Sequence, residues 1–314
     1  MSEQTLLFEV EKCFGVRASA ATLLRHNENR TYRLDAPEGS YALRIHQPVA
    51  GFSLGPLGAD VPPLALLRRE TALLDFLWQG GLPVQQPVHG ENGEAVCTLE
   101  GAPATLQRWL IGTPLSDLEM DDDISRRMGG MVARLHALLR AFDREHPQQG
   151  YRYDEKLLTR LAASLQQAAR EGAMPPDTVR ALEDTLCAIA AHMRRLGPTQ
   201  TVHADLSRSN LLLCGGDICP IDFSLNGRCH TTMDIAALLA QDGTPRREAI
   251  LRGYAAESGA PVSLADVEPY FALQILLFAA CQWPRFAREG WFAEALTRWQ
   301  NQTFGPLARG ERFL

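Results

Sequence analysis

Lysine is almost missing from this 314-residue chain: of its 31 lysine and arginine residues, only Lys12 and Lys156 are lysine. Basic positions throughout have therefore been filled by arginine, and any site that would ordinarily use a lysine has to be sought among arginines. No dense lysine or arginine run occurs and the formal net charge is -6, which excludes nucleic acid as the main partner, since little is present to neutralise a phosphate backbone. Cysteines are few, odd in number and scattered, seven in all, and this excludes a disulfide framework and fits reduced thiols in the cytoplasm. Cys214, Cys219, Cys229 and His230 lack the tight Cys-x-x-Cys unit of a structural zinc site. The opening residues 1–12 are polar and acidic, which gives no signal peptide. The apolar stretch 271–283 is too short to span a bilayer and carries Gln274 and Gln282, so no membrane partner is expected. No internal repeat, low-complexity tract or Gly-x-Gly-x-x-Gly pattern is present.

What is present concentrates in one stretch. His203-Ala-Asp205-Leu-Ser-Arg-Ser-Asn210 is followed twelve residues later by Asp222-Phe-Ser. Phosphoryl transfer needs a carboxylate near the attacking hydroxyl, and a carboxylate and an amide oxygen on the magnesium ions that bridge the nucleotide phosphates. Asp205, Asp222 and Asn210 fill those roles. Four residues separate Asp205 from Asn210, so one short loop can present both from the same side. Leu211 to Leu213 and Ile218 to Phe223 read as two strands about a turn at Gly215-Gly-Asp217, a hairpin that would return Asp222 beside Asn210.

The stretch resembles the His-x-Asp-x-x-x-x-Asn loop of the aminoglycoside phosphotransferase and choline kinase group within the protein-kinase-like superfamily. Ala204 and Ser224 stand where protein kinases have arginine and glycine, and no Ala-Pro-Glu follows Asp222, which places the resemblance on the small-molecule branch. Asp234, in Thr232-Met-Asp, resembles the aspartate that opens the next helix in this group and braces the loop; an ordinary helix N-cap accounts for it equally well. The resemblance implies an α+β fold of two lobes, residues 1–110 being a nucleotide-binding lobe with a five-stranded antiparallel sheet and one helix, and residues 111–314 a mainly helical lobe with the catalytic loop and substrate site.

The N-terminal third can supply that lobe. Residues 21–26, 31–36 and 41–47 read as strands, and so do 95–99 and 104–109. Period-two alternation puts Ala42, Arg44 and His46 on one face of the third strand and Tyr41, Leu43 and Ile45 on the other. This mirrors the Val-Ala-Ile-Lys strand of kinases: Ala42 would sit over the adenine, and Arg44 stands where the phosphate-holding lysine is expected. Leu66, Glu70, Leu73 and Leu77 recur at helical spacing over 64–78, so Glu70 lies on an apolar face and needs a cation, for which Arg44 is the natural partner and Arg68 or Arg69 the alternative. Asn27 to Arg30 occupy the phosphate-covering turn, where Asn29 and backbone amides would touch the nucleotide. Residues 51–63, rich in Gly and Pro, read as a long loop, either a flap over the nucleotide or mobile. Helices are expected at 156–170, 176–196, 247–257, 264–288 and 291–300, and one runs through Ile124, Met128, Met131, Leu135 and Leu138 behind Asp121-Asp-Asp123. His136 lies off that stripe and reads as a packing histidine. Glu119 and Asp121 to Asp123 could attract a cationic amine, although acidic residues at a helix start are usually capping.

The implied function is transfer of the γ-phosphate of ATP, with GTP as the alternative donor, to a hydroxyl of a small molecule. The acceptor is left open among aminoglycosides, amino alcohols, homoserine-like amino acids and sugars. A catalytically silent nucleotide-binding regulator, suggested by Arg44 and the missing glycine-rich loop, is one alternative; a bacterial Ser/Thr protein kinase of the same fold is the other.

Overall fold

In the computed structural model, residues 2–26, 29–48, 54–58, 62–146, 150–240 and 243–314 are described. The chain forms two compact units: Met1–Phe52, Val61–Thr113 and Leu212–Ser224 make the first, and Ser53–Asp60, Pro114–Leu211 and Leu225–Leu314 the second.

The first unit is built on a five-stranded antiparallel sheet of order β1-β2-β3-β5-β4, from β1 (Ala20–His26), β2 (Arg30–Ala36), β3 (Gly39–Ile45), β4 (Val96–Leu99) and β5 (Ala102–Arg108). β3 is the central strand, which keeps Arg44 off any edge. Its odd-numbered side chains Tyr41, Leu43 and Ile45 enter a core with Leu34, Leu99 and Leu106. A helix that periodicity over the strands did not call for, α1 (Glu3–Phe14), covers that face by burying Leu6, Val10 and Phe14 at four-residue steps. Ser2 caps it by accepting from Thr5 N at 3.2 Å, and Gly15, at φ +69°, ends it. The lobe thus has two helices and not one. The second, α2 (Pro63–Gln79), buries Leu67, Glu70, Leu73, Leu74 and Leu77, with Leu67 taking the buried place expected of Leu66.

β6 (Thr113–Pro114) leads to the second unit, which is mainly helical: α3 (Asp122–Glu145), α4 (Glu155–Arg170) and α5 (Pro176–Arg195) precede the loop at 203–210. β7 (Tyr151–Arg152) and β8 (Gln200–Val202) flank the later β11 (Gly227–Cys229) in a small sheet, whereas the hairpin of β9 (Leu211–Cys214) and β10 (Asp217–Pro220) belongs, from Leu212 on, to the first unit. α6 (Thr232–Leu239), α7 (Thr244–Ser258), α8 (Leu264–Phe286), α9 (Gly290–Trp299) and α10 (Gly305–Ala308) finish the chain. α8 is longer than the apolar stretch suggested, and by length and composition it could cross a membrane, but Ala272, Leu273, Leu276, Ala279 and Ala280 are buried in this unit. Its Glu268 is also buried and accepts from Arg312 Nε at 2.6 Å and from the amides of Phe313 and Leu314 at 2.7 and 3.0 Å.

Of the loop expected at 51–63, residues 54–58, 62 and 63 are described, and Pro63 already opens α2; the piece 54–58 lies in the second unit. Arg160 of α4 donates to Pro56 O and Leu57 O, each at 2.9 Å, and Leu57 is buried, so this piece is anchored to the helical unit and is not a flap. At the start of α3, Asp121 is the N-cap. Asp121 accepts from Ile124 N at 2.7 Å and Asp123 pairs with Arg126 at 2.6 Å.

α3 and α7 cross at backbone distance because each offers a glycine. A Cβ on Gly129 would lie 1.9 Å from Ile250 O, and one on Gly253 would lie 1.8 Å from Arg126 O. This crossing sets His136 of α3 against Tyr254 of α7, 2.9 Å from Nδ1 to the hydroxyl. Gly253→Ala is therefore expected to cost at least ~1–3 kcal/mol through forced separation of the helices. Urea denaturation measures it, and parental stability would contradict the close crossing.

Candidate active site

The loop that carries Asp205 and Asn210 lies in the second unit. β8 delivers His203, which is fully buried, and the chain then bends through Ala204 at φ +69°. A left-handed alanine costs about 1–2 kcal/mol, so something must hold it there. Asp234 does: its Oδ2 accepts from His203 N at 2.9 Å and its Oδ1 from Ala204 N at 2.7 Å. Two successive amides turned toward one anion require the alternating handedness that Ala204 provides. Asp234 is wholly buried and is also bonded to His136 Nε2 at 3.0 Å. Burial alone would raise its pKa, but the hydrogen bond and charge of His136, with His203, outweigh that and hold the carboxyl below its ordinary range. Asp234 is thus an interior brace for the loop, not a helix cap, and the packing histidine His136 carries it.

Beyond the bend, Asp205 is half-buried. The loop closes on itself by Ser207 N to Asp205 O at 3.0 Å and Asn210 N to Ser207 O at 2.9 Å. Asn210 donates Nδ2 to Asp205 Oδ2 at 2.9 Å and to Asp205 O at 3.0 Å. One amide therefore fixes the Asp205 carboxylate, and its own Oδ1 is left as an acceptor.

Arg25, Arg44, Glu70 and Asp222 lie in the first unit. Arg44 and Glu70 are both about 95% buried, at 4% and 5% exposure, and approach to 3.6 Å, an ion pair rather than a hydrogen bond. Arg68, the alternative partner for Glu70, instead faces Glu94 at 3.4 Å. Arg44 Nη1 also donates to Asp222 Oδ1 at 3.0 Å, and Arg25 Nη2 donates to Asp222 Oδ2 at 3.0 Å. Asp222 has φ +66° and so lies outside β10, which ends at Pro220 and does not run on to Phe223 as its apolar pattern suggested. Proline has no amide to extend the ladder.

Ala42 lies on the Arg44 face, opposite Gln107 across β3 and β5. Gln107 is buried and its Oε1 has no partner among the described residues, a signal that spacing could not supply. Asn29 sits in a bend at the head of β2, half-buried, whereas Asn27 and Glu28 lie outside the described residues. Among the described residues no group of three or more His, Cys, Asp or Glu could hold a metal. All seven cysteines are free. A magnesium ion asks for less from the protein: one or two hard oxygens suffice when phosphates and waters complete the shell. The Asp222 carboxylate and the Asn210 Oδ1 are donors of that kind.

Residues 20–270 match the model of the phosphotransferase enzyme family. The chain belongs to that family. It is similar to homoserine kinase of Pseudomonas aeruginosa, 34% identical over 155 residues, which are 48% of this chain and 46% of that protein; the match spans about half the length of that relative. Homoserine kinase of Methylobacterium radiotolerans is 26% identical over 292 residues, 90% of this chain and 81% of that one. Among solved structures, a microcompartment-associated aminopropanol kinase superposes with a TM-score of 0.78 at 18% identity, over 99% of this chain and 100% of that one. Amicoumacin kinase hAmiN, in complex with AMP-PNP and Ca2+, gives 0.73 at 17% over 97% and 94%. At these identities the two structures establish the protein-kinase-like α+β fold.

His46, two residues beyond Arg44, bonds Thr105 Oγ1 at 3.2 Å, and its pKa is pushed down from 6.5 to about 3 by burial and then by the Arg44 charge. The folded state thus prefers the neutral ring. This contribution is intact above pH 6.5 and is lost as pH falls from 6.5 toward 3. His46→Gln, which cannot protonate, should flatten the fall in melting temperature between pH 6.5 and 4; an unchanged slope would remove His46 from the acid response.

Proposed function

We propose that this chain is a kinase that uses ATP and magnesium to phosphorylate the hydroxyl of a small molecule, a homoserine-like amino acid or amino alcohol being the first acceptor to test. The observation that carries the reading is the Asp205–Asn210 arrangement: a half-buried carboxylate on a braced loop, fixed through one oxygen by an amide whose own oxygen remains an acceptor.

Asp205 accepts the hydroxyl proton as the alcohol oxygen bonds to the γ-phosphorus and the bond to the ADP oxygen breaks. Asn210 orients that carboxylate, and Asp234 fixes the backbone that carries it. Asn210 Oδ1 and Asp222 are the ligands assigned to magnesium, which when bound neutralises charge on the phosphate oxygens. Arg44 clamps phosphates with a permanently charged fork, and Glu70 holds the guanidinium against the sheet. Asn29 is assigned to the phosphate-covering turn and Ala42 to the adenine face. The free cysteines suit a cytoplasmic enzyme. The homoserine kinases of Pseudomonas and Methylobacterium support an amino-acid alcohol over a sugar.

The test is a panel of homoserine, amino alcohols, aminoglycosides and sugars with magnesium ATP, read by ADP release and by phosphorus NMR of the product. One acceptor should give a phosphomonoester, and Asp205→Asn should lower its turnover by about 10²-fold or more while leaving ATP affinity nearly unchanged. Near-parental turnover by Asp205→Asn would remove it from the mechanism. Arg44→Lys should retain part of the rate that Arg44→Ala loses, since the charge survives and the fork does not. A parental rate in Arg44→Ala would refute the clamp.

A further inference from the structure

Arg25 reaches Asp222 only because β1 contains a bulge. Leu23 pairs with Tyr32, but Arg25 pairs with Thr31, so Leu24 is an extra residue with no partner in the register. Without it, Arg25 would pair with Arg30, whose own partner across β2 and β3 is Ile45 on the core side. The inserted residue moves Arg25 into the row of Thr31 and Arg44, and a one-residue shift of this kind turns a side chain to the other face of a sheet. The result is a guanidinium half-exposed to solvent, 3.0 Å from an Asp222 oxygen, beside the buried guanidinium of Arg44 on the other oxygen.

Arg25, Arg44, Glu70 and Asp222 sum to zero charge. This rests on the preceding assignment of Asp222 to magnesium and of this face to a nucleotide. A ligated metal claims a carboxylate oxygen that Arg25 holds in the free protein, and it arrives with a triphosphate whose negative charge exceeds the charge of one divalent ion. We propose that Arg25 is a phosphate-positioning residue: it occupies Asp222 while the site is empty of nucleotide and transfers its fork to the triphosphate when the metal takes the carboxylate. Arg25 is suited to the exchange because its side chain is 52% exposed, whereas that of Arg44 is 5% exposed and is also tied to Glu70. In a chain with two lysines and without a glycine-rich loop, the bulge supplies the second cation.

Calorimetry on the full chain separates the outcomes. Arg25→Ala should weaken binding of magnesium AMP-PNP about tenfold, the usual scale of one charge-assisted contact, and leave adenosine binding unchanged. Arg25→Lys should recover part of the loss, and circular dichroism should show the parental fold in both variants because the side chain is half-exposed. Parental affinity in Arg25→Ala would overturn the proposal, and so would tighter binding, which would make Arg25 only a competitor of the metal. If the parent protein bound no magnesium AMP-PNP, the nucleotide assignment itself would fall and this proposal with it, a result distinct from a parent that binds and a variant that matches it.

Discussion

An arginine that is 96% buried has to be surrounded by carboxylate, and Arg44 is held between Glu70 of α2 and Asp222 after the β9–β10 hairpin. Without both partners a charge would be stranded in the interior at a cost of about 3–5 kcal/mol. The need explains several features that otherwise look unrelated. Glu70 interrupts an apolar helix face, β3 sits at the centre of the sheet, and Asp222 accepts a left-handed backbone to turn its carboxylate toward the guanidinium. A cluster with no net charge is stable without a ligand, yet its members are the groups that phosphates and a hard cation would engage.

The second unit solves a parallel problem with the opposite sign. Asp234 is a buried anion, and it is neutralised less by a counter-ion than by directed donors: two loop amides and the His136 ring. The glycines at the α3–α7 crossing let Tyr254 support that ring, so helix packing far from Asp205 in sequence fixes where Asp205 stands. Ala204 in the second unit and Asp222 in the first, two non-glycine residues at positive φ, are therefore each held by charge, one by an anion and one by cations. Strain of this sort is tolerated where surrounding interactions over-determine it.

Much of this could be read from the sequence because it is local. The Asp205–Asn210 spacing, the alternation around Arg44 and the helical stripe carrying Glu70 each lie within a dozen residues, and the strand and helix ranges follow to within a few positions. What escaped reading was of two kinds. α1 has a cap at Ser2 and a Leu6, Val10, Phe14 stripe, but the polar residues between them leave only three widely spaced apolar positions to mark it. Arg25 was invisible for a physical reason: strict alternation puts it on the core face, and only the unpaired Leu24 reverses that. The roles of His136 and Tyr254 depend on hydrogen bonds across 98 and 118 residues, which no local pattern records.

In the proposed function the carboxylate of Asp222, balanced by arginines in the free protein, becomes the ligand of a magnesium ion that carries the nucleotide. Titration of ATP into the parent protein and into Asp222→Ala, each with magnesium and with EDTA, tests it most directly. Magnesium should strengthen ATP binding to the parent, this gain should disappear in Asp222→Ala, and Asn210→Ala should lose a smaller part of it. An equal magnesium-dependent gain in the parent and in Asp222→Ala would contradict it.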